Sequence, residues 1–210
     1  DPDALGGVLI MGGLKARSAW AAGWVLVAAA NAAAAPPAQV QICAACHGPN
    51  GNSVLPDNPK LASLDAEYLR RQLVDFKSGK RKSAIMGPIV TALDADTLQA
   101  LAEHFSEQKL VPGPAVDEAM AAKGKVIYED GIVGSAVPAC SGCHGNDGVG
   151  DAKYPRVAGQ HATYVEKQLL AFKSGERAND VKGAMGAVAK RMSEAEMRAV
   201  AHYVAGLKED

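Results

Sequence analysis

Cys43-Ala44-Ala45-Cys46-His47-Gly48 returns 97 residues later as Cys140-Ser141-Gly142-Cys143-His144-Gly145. The pattern Cys-x-x-Cys-His is the attachment signature of a c-type haem. Two thiols one helical turn apart can add to the two vinyl groups along one porphyrin edge, and the next residue brings an imidazole under the iron. The two copies use all four cysteines of the chain. Three other chemistries compete for these residues. A thioredoxin-like redox pair needs a strand before and a long helix after its Cys-x-x-Cys, and has no need of the histidine. A zinc site would have to unite pairs that sit 97 positions apart in separate repeats. Structural disulfides suit an exported protein, but cysteines this close make strained bridges. Covalent haem is the reading that uses every residue of the motif.

Working outward, the chain compares with itself. Pro59-Lys60-Leu61 matches Pro155-Arg156-Val157, Tyr68-Leu69 matches Tyr164-Val165, and Gln72-Leu73 matches Gln168-Leu169. Phe76-Lys77-Ser78-Gly79 matches Phe172-Lys173-Ser174-Gly175, and Met86-Gly87 matches Met185-Gly186. The offset moves only between 96 and 99, so short insertions explain the drift. A duplication of this period is a tandem pair of domains. Each copy reads as helical. Tyr68, Leu69, Gln72, Leu73 and Phe76 mark one face of a helix from about Asp65 to a stop at Gly79. Its counterpart is expected to start with a capping box, Thr163-x-x-Glu166, and to stop at Gly175. Leu98, Leu101, Ala102 and Phe105 form a later stripe; Met197, Val200, Ala201 and Val204 repeat it behind the capping box Ser193-x-x-Glu196. A further helix, from about Asp117 to Glu129, opens the second copy, against a shorter one over Ala38 to Ala45 in the first. The predicted architecture is all-α.

Composition narrows the function classes. A net charge of −1 leaves no basic surplus for phosphates, so nucleic acid is not an expected partner. Aromatic residues make up only 5%, and both tryptophans, Trp20 and Trp24, lie in the N-terminal segment. The domains are thus short of large core-filling side chains, and a buried haem would supply the missing apolar body. From Met11 onward, Lys15 and Arg17, an uncharged run over Ala19 to Ala30 and the small residues Ala32 to Ala35 read as a secretory signal peptide rather than a retained anchor. Export agrees with the motif, because Gram-negative bacteria attach such haems outside the cytoplasmic membrane. The expected division is 1–35 removed, 36–108 first domain, 109–116 linker rich in Pro and Gly, and 117–210 second domain.

His47 and His144 are the proximal ligands by position. A sixth ligand must recur in both copies. Met86 and Met185 do, 39 and 41 residues after their histidines, and thioether sulfur favours the ferrous state. Met192 is the rival for the second iron, but it aligns with Leu93 and reads as core. Met120 and Met197 fall on helical stripes, where methionine packs. His104, His161 and His202 do not recur and are read as surface residues. The carbonyls of Pro59 and Pro155 are candidates to accept from the proximal imidazoles. Lys77 and Lys173, each just before a helix end, suit the helix dipole.

The two Cys-x-x-Cys-His…Met-Gly units, Phe-Lys-Ser-Gly in both halves and Tyr154-Pro155-Arg156-Val157-Ala158-Gly159-Gln160 resemble the cytochrome c4 family, from about Ala38 to Leu207. The resemblance implies two tandem class I cytochrome c domains, each a small helical fold wrapped around one covalently bound haem. It implies two c-type haems, thioether-linked at Cys43, Cys46, Cys140 and Cys143, with iron between His47 and Met86 and between His144 and Met185. The implied function is a periplasmic one-electron carrier, loosely associated with the membrane, between a quinol-oxidising cytochrome bc complex and a terminal oxidase or other acceptor. With both axial positions filled, no site is left for a substrate, so a carrier is expected rather than a dihaem enzyme. The cytochrome subunit of a sulfide- or thiosulfate-oxidising dehydrogenase is the alternative. In the first repeat Ser63-Leu64 replaces Gly159-Gln160, which sets the equivalence of the two pockets in question.

Overall fold

The computed structural model describes residues 36–111, 113 and 117–208; the expected signal over 1–35 and part of the 109–116 segment lie outside them. All regular structure there is helical, apart from one isolated antiparallel bridge, Ile132 to Val137. In the first repeat α1 (Val40–His47), α2 (Ala66–Ser78), α3 (Met86–Thr91) and α4 (Ala95–Ser106) follow one another. The second has α5 (Glu118–Asp130), α6 (Ser141–His144), α7 (Ala162–Ser174), α8 (Ala184–Lys190) and α9 (Glu194–Gly206). No described helix is long and apolar enough to cross a membrane.

The boundaries follow local chemistry. Asp65 caps α2 by accepting from Tyr68 N, Asp94 caps α4 from Thr97 N and Asp117 caps α5 from Met120 N. Gly79 and Gly175 end α2 and α7 in the left-handed conformation. The capping box Ser193–Glu196 opens α9. The one expected at Thr163 does not form: α7 begins at Ala162 with His161 as its uncapped N-cap, and Glu166 instead accepts from Arg198 Nε at 3.1 Å. The opening helices fall where expected, the first shorter than the second. α1 carries Cys-x-x-Cys-His at its own C-terminal end, whereas in the second repeat the 131–140 segment separates α5 from the motif helix α6.

Each repeat has its own core. Val40, Leu64, Leu69, Leu101, Ala102 and Phe105 pack in the first; Ile127, Tyr128, Phe172, Met192, Met197, Val200 and Val204 are among those in the second. Lys77 and Lys173, beyond any dipole effect, each donate to a carbonyl ahead of the last helix, Leu93 O and Met192 O, tying α2 to α4 and α7 to α9. α5 crosses α9 at Gly124, where a Cβ would stand 2.1 Å from Ala199 O. The Ser63/Gly159 departure leaves the backbone alike: Ser63 takes φ 58° and Gly159 φ 69°, and their N–H groups donate to Phe105 O and Val204 O. Ser63 therefore holds a left-handed turn that glycine adopts with less strain.

The halves meet through reciprocal polar contacts. Arg81 donates to Tyr164 Oη (2.9 Å) and Gln168 Oε1 (2.8 Å), and Arg177 donates to Tyr68 Oη and Gln72 Oε1, both at 3.2 Å. Each arginine also donates to the glutamine of its own half, Arg81 to Gln72 at 3.0 Å and Arg177 to Gln168 at 2.7 Å. Asn179 and Asp75 break the symmetry, joined at 2.7 Å with no counterpart pair at Ser83 and Ala171. Arg81 is buried and stacks over Phe76. Replacing it by Leu strands buried acceptors in both halves, and the expected loss is about 2 kcal/mol in a urea unfolding curve.

Candidate haem sites

All eight residues singled out in the sequence, Cys43, Cys46, His47, Met86, Cys140, Cys143, His144 and Met185, line one cavity of about 660 Å³ that runs through both repeats. α1 delivers the first motif at its last turn, and α6, a single turn, delivers the second. Neither cysteine pair is joined as a disulfide, and among the described residues no three of His, Cys, Asp and Glu gather as a metal-binding group, so the donor set of a zinc site is missing. Within each pair the first thiol is half-buried and the second exposed. Burial pushes the Cys43 thiol up, and the Cys140 thiol up to about 11.

The two imidazoles are held alike. His47 Nδ1 donates to Pro59 O and His144 Nδ1 to Pro155 O, each at 2.8 Å. A carbonyl can only accept, so the proton sits on Nδ1 and Nε2 keeps the lone pair a metal needs. Burial lowers the pKa of both rings, against the opposing pull of the carbonyls, which preserves that neutral form. Both rings are 8% exposed.

Met86 and Met185 sit in the first turns of α3 and α8, short helices absent from the sequence expectation. Met86 N is held by Ser83 Oγ at 3.0 Å, Met185 N by Asp180 Oδ2 at 2.7 Å. The same cavity is lined by Met192, which is 2% exposed and packed in the core of the second half. Buried imidazoles of fixed tautomer, thiols spaced one turn apart, recurring thioethers and apolar walls from α2, α4, α7 and α9 fit a haem in each half.

Two features escaped the sequence reading. His161, expected at the surface, is buried, and its Nε2 donates to Ser53 O of the other repeat at 2.9 Å. Arg81 and Arg177, which cluster with the recurring Gln72 and Gln168, are the other, although arginine recurs after each helix-ending glycine. Arg81 and Arg177 both line the cavity.

Comparison with known proteins agrees with this geometry. Residues 37–108 and 121–208 each match the cytochrome c family. Cytochrome c4 of Pseudomonas aeruginosa is 40% identical over 185 residues, covering 87% of this chain and 92% of that protein. A thiosulfate dehydrogenase electron acceptor of Thiomonas intermedia is 39% identical over 182 residues, 85% of this chain and 83% of that one. The crystal structure of reduced recombinant cytochrome c4 from Pseudomonas stutzeri superposes with a TM-score of 0.78 at 38% identity, covering 81% of this chain and 95% of that one. Two tandem matches and relatives along most of the length show that the chain belongs to the cytochrome c4 family, as a dihaem electron carrier with two covalently bound c-type haems.

Proposed function

We propose that Cys43 and Cys46 bind the first haem and Cys140 and Cys143 the second. His47 with Met86, and His144 with Met185, serve as the axial ligand pairs. The observation that carries this reading is the convergence of all eight side chains on one cavity, with both imidazoles presenting Nε2. Haem supplies the one-electron chemistry of its iron. The protein would supply a histidine and a methionine to each iron, a pocket with apolar walls and a fixed imidazole tautomer. In this reading residues 1–35 direct export, 36–108 and 117–210 are the two domains and 109–116 links them. The protein acts in the periplasm, loosely associated with the membrane, taking electrons from a quinol-oxidising cytochrome bc complex and passing them to a terminal oxidase or other acceptor.

The Thiomonas relative, a thiosulfate dehydrogenase electron acceptor, favours a second reading of the partner, in which a sulfur-oxidising dehydrogenase is the donor. Reduction kinetics separate the two: rapid reduction by a quinol–cytochrome bc system with none by thiosulfate and its dehydrogenase supports the first, the reverse result the second.

The ligand assignment has its own test. Met86→Ala and Met185→Ala should each remove about half of the weak sulfur-to-iron charge-transfer band of the oxidised protein and lower the potential of that haem. A band left whole by either change removes that methionine from the ligand set.

A further inference from the structure

Pro59 C=O and Lys60 N–H are the two ends of a single peptide group. Its oxygen accepts from His47 Nδ1 at 2.8 Å. Its N–H donates to Oε1 of Gln160, in the other repeat, also at 2.8 Å. Gln160 Nε2 returns a bond to Lys60 O at 2.9 Å, so the side chain grips this residue's backbone on both sides. Gln160 and Lys60 are both buried. The next residue, His161, holds the same loop at Ser53 O, and its own N–H shares Gln160 Oε1 at 3.1 Å. At the matching position of the first repeat stands Leu64, whose side chain cannot make these bonds to the Pro155–Arg156 peptide.

Hydrogen bonds in series strengthen one another, by roughly 10–30% per bond. An acceptor on the Lys60 N–H draws electron density through the peptide toward the Pro59 oxygen. That oxygen then pulls harder on the His47 proton, and Nε2 becomes a stronger donor. A stronger axial donor favours ferric iron and lowers the potential.

We infer that Gln160 is a positioning residue for the axial imidazole of the opposite domain: through the Pro59–Lys60 peptide it increases the donor strength of His47 and lowers the potential of the first haem, with no equivalent acting on the second. The inference rests on the assignment of His47 as an iron ligand.

The experiment uses the full dihaem protein and its hyperfine-shifted imidazole signals, together with a redox titration that resolves the two haems. In Gln160→Met, close in volume but without hydrogen bonds, His47 Nδ1–H should exchange about 1.2- to 1.7-fold faster, as the loss of roughly 10–30% of its bond strength implies. The potential of the first haem should rise, with that of the second unchanged. Gln160→Asn, shorter but polar, should act in the same direction and is the gentler change if the Met variant folds poorly. His161→Ala, which removes the neighbouring tie to the loop but leaves the Lys60 peptide alone, should change neither readout. Equal shifts at both haems, or an effect of His161→Ala as large as that of Gln160→Met, would mean general loosening and overturn the inference. A His47 signal that both Gln160 variants leave unaltered overturns it alone. Absence of any hyperfine-shifted His47 signal in the unaltered protein overturns the ligand assignment with it.

Discussion

A chain in which Cys140 and Cys143 are both changed to Ser is expected to keep one covalent haem instead of two. Serine hydroxyls do not form thioethers, and the attachment depends on both thiols presented by the motif helix. The mass of the purified protein should fall by one haem, and acid–acetone extraction should leave about half the colour on the polypeptide, following the one-motif, one-haem stoichiometry. The effect reaches the fold as well. Leu169, Phe172, Val200 and Val204 line the cavity on the second side, and without a covalently fixed group they face a void or water. Such a loss in a small core removes several kcal/mol of apolar burial, on the order of 25 cal/mol for each Å² re-exposed. The Cys43→Ser, Cys46→Ser variant should mirror this in the first half. A two-haem mass in either variant would refute the attachment assignment.

The second large effect is expected at Gly124. The α5–α9 crossing brings the two backbones so close that a Cβ there would meet Ala199 O at 2.1 Å, Ala199 C at 2.6 Å and Tyr203 Cβ at 2.8 Å. Two of those atoms are backbone, so no rotamer change relieves the contact, and the helices must separate. Separation opens the packing of Tyr128 and Val200 along the same crossing, both buried. Gly124→Val should therefore cost about 3 kcal/mol or more, at the upper end for overpacked cores. Gly134→Val is the control: nothing lies within 4 Å of its would-be Cβ, and exposed substitutions stay within about 0.5 kcal/mol. Thermal unfolding of the pair measures the difference; equal melting temperatures would mean that α5 and α9 do not meet this closely in solution.

Most of what was legible in the sequence recurs in both halves. Cys-x-x-Cys-His and Met-Gly are read against their own copies, and the stripe Leu98, Leu101, Ala102 and Phe105 is buried as its period requires. Ser193 and Glu196 make the capping box expected of them because no other partner competes. Thr163 and Glu166 have the same spacing, but His161 already occupies the N-cap and Arg198 claims the carboxylate. Recurrence also misled. His161 appears in one repeat only, yet a residue can serve the contact between repeats without appearing twice. Gln160 belongs to the same class. The Pro59 carbonyl, on the peptide that Gln160 holds, is identifiable because Pro155 repeats it. Contacts across the halves join residues about a hundred positions apart, and no helical period or capping rule encodes them.

The crossed arginines carry a consequence for ancestry and assembly. A surface on which each half offers the other the same guanidinium, amide and phenol is self-complementary, as between subunits related by a two-fold axis. Joining two such subunits end to end turns a concentration-dependent encounter into an intramolecular one, with an effective concentration in the millimolar range for a short tether. Once tethered, the partners are free to diverge, since a change in one no longer has to suit its own mirror image. Asp75 bonded to Asn179, and Gln160 bonded to the Lys60 backbone, are features a homodimer would have been forced to make twice.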